Sequence, residues 1–419
     1  MLLKKYKLTD KLNYFYYPIK KYKSFAVKIY FLLPFNKDKI TIRNLLKDIL
    51  LYDSKNYSST DIINKRKELY NLKVSIVSTP MNNTHQYCLT FSGTNPKFFE
   101  DEDYTIDKVF EYINEVLFKP NIEEKKFNKH SFDLCFNRYK IALKTALEDK
   151  NYIASTESIE ILDDDINKYS ILGYIEDFDK ITNEQVYNEY LELLNSKIII
   201  SCIGDLDNKS LKKNFKKYFS SFEEFIDKIQ MTPTKYQSYR EKIIELKTEQ
   251  SIVVMNFATE VKKFQKDYFN LLIFNMLFGG EANSLLFNVI REKYGFCYEI
   301  YSSVDVNSGL ITVYMGLDKC NIDQAMTLTL KQIEEIQKGN FSKALIKEYL
   351  RNEYTRVGSV YDGIQTTLSR EISLYLYDRD SSFRLLKEDL NKITKESIMN
   401  FAKKVKHINT VVIKSKGEV

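Results

Sequence analysis

Two periods alternate along the chain. Residues 12–19 and 24–35 alternate apolar with polar side chains and read as a pair of strands, the second closed by Pro34-Phe-Asn-Lys-Asp. Across 41–52 and 59–72 the apolar residues recur three and four apart, which predicts helices with one buried face. Ser59 or Thr60 is placed to cap the second of these ahead of Asp61. Residues 74–80 and 86–92 return to strand character, helices follow at 106–118 and in the charged run 123–147, and a further helical region leads to a helix at 183–194. Lys197-Ile-Ile-Ile-Ser-Cys-Ile203 is apolar on both faces and predicts a buried strand.

The second half repeats this order. Residues 243–257 are strand-like, 268–278 and 284–293 helical, and 298–306 with 310–316 a strand pair. Helices at 323–337, 343–354 and 394–405 precede a closing strand at 409–413. One order of elements used twice marks an internal duplication. The polar stretch 223–242, which holds Pro233, is the expected linker between a first domain at 1–222 and a second at 243–419. Hairpin-paired strands with helices grouped between them predict an α+β fold of two homologous domains, each a mostly antiparallel sheet packed with helices.

Composition narrows the function classes. A chain of 419 residues exceeds one ordinary core, and 44% hydrophobic with 29% charged residues is that of a folded protein. The net charge of +6 is dispersed, with Lys and Glu alternating along the helices, so nucleic acid is not an expected partner. Cys88, Cys135, Cys202, Cys297 and Cys320 are odd in number and lack C-x-x-C spacing, which argues against a disulfide framework or thiolate zinc site and for a cytoplasmic setting. Neither a secretory signal nor a membrane span is expected, because no apolar run follows the first lysines and none reaches eighteen residues.

The histidines are His85, His130 and His407. Odd spacing on a strand sends His85 and Cys88 to opposite faces, against a nucleophilic pair, and His130 and His407 are expected at the surface. Asp163-Asp164-Asp165 lacks the Gly and Glu of an EF-hand and reads as a helix break or cap. Gly279-Gly280 is followed by neither Lys-Ser nor Lys-Thr and reads as a turn.

Residues 287–298, Phe-Asn-Val-Ile-Arg-Glu-Lys-Tyr-Gly-Phe-Cys-Tyr, carry the candidate chemistry. Arg291 falls near a helix end, Gly295 breaks the helix, and Tyr298 starts a strand, so two long polar side chains can converge on a cleft. The same residues also read as an ordinary helix end, with Lys293 favouring the C-terminal dipole and a half-buried Tyr. Together with Phe278-Gly-Gly-Glu-Ala-Asn-Ser-Leu-Leu-Phe287, the stretch resembles the second-half signature of the pitrilysin/insulinase family of inverted-zincin metallopeptidases. There a Gly-rich turn precedes Ser-x-Leu-Phe and then Ile-Arg-Glu-Lys-x-Gly-Leu-x-Tyr. The resemblance implies two domains facing each other as a clamshell around a peptide groove. It also implies that Arg291 and Tyr298 hold the carbonyls of an extended peptide substrate.

Active members of that family carry His-x-x-Glu-His on a first-half helix and a distal Glu ligand. The corresponding positions here are Asn44, Lys47 and Asp48, and the distal position falls near Ala142. A catalytic zinc needs at least three protein ligands, which these residues do not supply, and Lys47 repels a dication. The resemblance therefore implies no metal and no catalytic residue in this chain. It points instead to the substrate-binding, non-catalytic subunit of a heterodimeric zinc metallopeptidase that processes peptides or protein precursors. Zinc is then expected in a paralogous partner, as for the α-subunit of mitochondrial processing peptidase and the zinc-free members of paired bacterial peptidases, which Leu69-Tyr70-Asn71-Leu72 also resembles. A homodimer, or a stand-alone peptide-binding or scaffold protein of the same fold, is the alternative.

Overall fold

A strand that is apolar on both faces has to lie inside a sheet, and the run Lys197–Gly204 buries every residue but its first. The computed structural model describes residues 2–81, 83–163, 166–227 and 232–417. In its first half the strands are β1 Lys4–Lys7, β2 Asn13–Pro18, β3 Ser24–Pro34, β4 Lys73–Met81, β5 Thr84–Thr94, the short β6 Ile122–Glu123 and β7 Lys126–Phe127, and β8 Lys197–Gly204. Six of them form a sheet in the order β1-β2-β8-β3-β5-β4, while β6 and β7 pair only with each other. β8 thus separates β2 from β3, which do not pair as the alternation suggested. It runs parallel to β2 and antiparallel to β3 and covers an apolar edge on each.

The second half supplies β9 Arg240–Leu246, β10 Ser251–Ala258, β11 Cys297–Asp305, β12 Leu310–Leu317 and β13 Lys406–Ser415, in the order β11-β12-β10-β13-β9. β13 and β9 are parallel and the other pairs antiparallel. Set β1 aside and β2-β8-β3-β5-β4 matches β9-β13-β10-β12-β11 strand for strand, including the single parallel pair. The duplication is therefore topological, and the fold is α+β with two homologous domains.

The chain divides into two compact units that interleave in sequence. One comprises Met1–Lys144, Ile171–Ile229 and Ser359–Ser381, the other Thr145–Ser170, Gln230–Gly358 and Ser382–Val419. In the first unit one sheet face packs on Leu45, Ile49, Phe110, Val186 and Phe215 of the surrounding helices. Its other face is covered by helix Ile364–Leu376, with Leu368 and Ile372 against Phe15, Ala26, Ile199 and Ile203. In the second unit, helix Lys150–Glu160 sets Ala154 against Ile252, Val254, Val411 and Ile413. These two helices stand at equivalent places in the two repeats. Each sheet is thus completed by the other repeat's copy.

Polar latches fix both helices. Asn256 and Asn409, each fully buried, donate through Nδ2 to the Ser158 carbonyl at 3.0 Å, and the Thr312 hydroxyl donates to Asn256 Oδ1 at 2.7 Å. In the first unit Lys28 Nζ donates to Ser369 Oγ at 2.6 Å and Gln365 Nε2 to Ser92 Oγ at 2.7 Å. Of the expected linker, residues 228–231 lie outside the described residues, as do Asp164 and Asp165. Among the described residues, no helix is long and apolar enough to cross a membrane.

Candidate functional site

The stretch that carries Arg291 and Tyr298 is a wide helical turn, a left-handed residue and an edge strand. Phe287–Lys293 coils with π-type spacing, and Gly295 N–H returns to the Arg291 carbonyl at 3.0 Å while Phe296 N–H reaches that of Ile290 at 3.0 Å. Gly295 has φ +65°, which an L side chain resists, so the chain turns sharply into β11. In the first unit Tyr70 and Asn71, at φ 52° and 57°, make the same turn before β4. Counting from it, Arg291 and Tyr298 stand where Lys67 and Val74 do in the first repeat. The Arg/Tyr pair therefore belongs to the second repeat alone.

Both side chains are presented rather than committed. The Arg291 side chain is 44% exposed, its guanidinium lies 4.9 Å from the Phe287 ring centroid, and its ionic neighbour Glu292 stands off at 4.0 Å. Tyr298 is 58% exposed and donates one long bond, 3.3 Å, to Asp318 Oδ2. Cys297 between them is buried, and burial pushes its thiol up to about 11 although Arg291 pulls the other way. Gly279 lets the preceding helix end approach β11, because a Cβ there would come within 2.8 Å of Ser302 Oγ and of Leu286 Cδ1.

The positions that the resemblance assigns to the zinc motif lie in the first unit on helix Ile40–Leu50. Asn44 is buried and donates Nδ2 to the carbonyls of Ile40 at 3.1 Å and Ile171 at 2.9 Å. Lys47 Nζ sits 2.9 Å from Asp48 Oδ1 and 5.8 Å from the centroid of Tyr139. Tyr139 belongs to helix Lys129–Ala146, where Ala142 is exposed. Cys135 is pushed up to about 12, first by burial and then by the charge of Asp48, so the Cys135 and Tyr139 face is the one turned toward the motif helix. An amide donor, a cation and a carboxylate already paired with that cation do not fit a zinc ion. Among the described residues, no three His, Cys, Asp or Glu stand together as metal ligands.

Beside Asn44 lies a group that sequence reasoning missed. Arg43 is fully buried and donates Nε to Glu189 Oε1 at 2.6 Å and Nη1 to the Pro34 carbonyl at 3.0 Å, while Lys39 Nζ reaches Glu189 Oε2 at 3.0 Å. Only the arginine's place on the apolar face of an amphipathic helix could have signalled it. His85 is also fully buried, with Nε2 2.7 Å from Ser78 Oγ, and burial, helped by Arg43, pushes it down to about 3. His130 is exposed. His407 is half-buried instead of lying at the open surface: its ring meets those of Phe257 and Tyr239, at 4.9 and 4.8 Å, and burial lowers it to about 4. The reason is that the closing strand starts at Lys406, which carries His407 into the sheet. Asp163 pairs with Arg240.

Residues 180–353 match the family profile described as the peptidase M16 inactive domain. A Bacillus subtilis (strain 168) protein described as probable inactive metalloprotease YmfF is 26% identical over 94% of this chain and 93% of its own length. The chain is a homologue of the M16 peptidases. Solved structures share the fold: a conserved protein from Enterococcus faecalis V583 has a TM-score of 0.92 at 22% identity, covering 99% of both chains. An M16 inactive domain from Pseudomonas fluorescens gives 0.80 at 14%, over 100% of this chain and 99% of its own. The family profile and the Bacillus subtilis relative are both described as inactive, and Asn44, Lys47 and Asp48 stand at the positions that the resemblance assigns to the zinc motif.

Proposed function

We propose that this chain is the substrate-holding, non-catalytic subunit of a two-chain zinc peptidase, acting with a paralogue that carries His-x-x-Glu-His and the metal. The observation that carries this is the contrast between two sites. The motif helix has an amide and a cation where ligands belong, whereas Arg291 and Tyr298 keep exposed donors beside an edge strand. In this role Arg291 offers a charged donor fork and Tyr298 a phenolic donor to the carbonyls of an extended peptide, which fixes its register before the partner's metal acts.

The test mixes the purified chain with a zinc-bearing paralogue and follows complex formation and peptide cleavage together. A complex that cleaves, where this chain alone does not, is the expected result. Arg291→Ala and Tyr298→Phe should each slow cleavage about 2- to 10-fold, the equivalent of one lost hydrogen bond, and leave assembly intact. Unchanged cleavage in both variants removes the holding role. A stable monomer indifferent to the paralogue removes the subunit role.

A further inference from the structure

The open face of β11 and β12 next to Tyr298 has a step in it. The register shifts between Cys297 and Glu299, so Tyr298 and Glu299 are both exposed while Cys297 and Ile300 stay buried. Glu299 lies opposite Gly316. A Cβ at Gly316 would stand 4.0 Å from Glu299 Cβ, 4.0 Å from Tyr314 Cε1 and 3.6 Å from Gln250 Oε1, so the glycine leaves a gap that these three groups border.

One wall of the gap is aromatic and held in place. Tyr301 stacks on Tyr314 with centroids 5.2 Å apart and planes at 21°, and Tyr314 donates its hydroxyl to Asn151 Oδ1 at 2.6 Å. The Tyr301 ring is 43% exposed. The other wall is a free carboxylate: among the described residues Glu299 has neither a hydrogen bond nor an ion pair. After burial, its charge is the next cause that raises both phenols, Tyr314 to about 12, which places it close to the two rings.

We propose that this step is a subsite for a cationic side chain, lysine or arginine, of a bound extended peptide. The proposal rests on the peptide-holding reading of Arg291 and Tyr298 and adds a side-chain preference to it. A cationic side chain lays its alkyl stem along Tyr301 and brings its charge to Glu299, gaining cation–π and ionic attraction together. An apolar side chain would strip water from an unpaired carboxylate, and an acidic one would be repelled.

Fluorescein-labelled, end-blocked peptides that differ only in a central Lys, Gln or Glu test this by anisotropy with the purified chain. The Lys peptide should bind about tenfold more tightly than the Gln peptide, and the Glu peptide more weakly than both. Glu299→Gln, an exposed change that preserves shape, should erase the difference between Lys and Gln. Gly316→Ala, whose added methyl meets only ordinary contacts, should weaken the Lys peptide selectively. Equal binding of all three peptides, or a Lys preference that survives Glu299→Gln, overturns the subsite and leaves peptide holding intact. Binding of none of them overturns peptide holding and the subsite with it.

Discussion

At the scale of single residues, the buried His85 gives the molecule a measurable response to acid. His85 is held neutral by burial, and a proton on it would face the Arg43 guanidinium. Its folded pKa, about 3, lies below the unfolded value of 6.5, so between those values the unfolded chain binds more protons. The contribution is complete above pH 6.5 and is lost as the pH falls toward 3. Taken from pH 7 to 5, the chain should lose about 2 kcal/mol more stability than His85→Gln, at roughly 1.4 kcal/mol per pH unit below 6.5. Urea titrations at both pH values check this, and parallel losses would show that His85 is not kept neutral. The neutral state of His85 was hidden in the sequence because it depends on burial within the sheet and on the charge of Arg43, forty-two positions earlier and itself inside the core. Arg291 and Tyr298, by contrast, were singled out by the family signature that 278–298 resembles, since their spacing to Gly295 alone also fits an ordinary helix end. Glu299 and Gly316 carried no signal, since only strand register brings them together.

At the scale of elements, the two helices that complete the sheets explain what periodicity could and could not reveal. Strands β3, β5 and β12 were legible to within a few residues because each is a largely buried, apolar-rich run bounded by turn residues. Helix Ile364–Leu376 was missed. It starts at Gly363 without a side-chain cap, and Gln365, Thr366, Thr367, Ser369 and Arg370 dilute its apolar stripe. It docks through hydrogen bonds that no period records, and Lys150–Glu160 does the same at Ser158. Asn256→Ala removes one of the two amide donors to Ser158 and the acceptor of Thr312, which should cost about 1–3 kcal/mol. Hydrogen exchange should then quicken first across 150–160. If protection of that helix is unchanged while the sheet loosens, the latch is assigned to the wrong element.

At the scale of the whole molecule, the chain passes from one compact unit to the other five times, so halves of the sequence are not halves of the structure. A single break within 223–242 leaves Lys150–Glu160 in the second unit and Ile364–Leu376 in the first. A protease site inserted there and then cut should give two fragments that co-elute on a sizing column and part only in denaturant. Fragments that separate in native buffer would show that the exchanged helices contribute little. Duplication was legible at this scale because element order repeats. The exchange was not, because both copies of the helix keep their place in the order whichever sheet they cover.

That exchange bears on ancestry. A solitary ancestral repeat, carrying this helix ahead of its last central strand, already owned the piece that a second copy's sheet lacked. Two such copies could have traded helices as a symmetric pair, and joining their genes end to end would then have required a tether but no new contact. Once joined, the two sequences were free to diverge, and Arg291 and Tyr298 of one repeat now stand where the other has Lys67 and Val74.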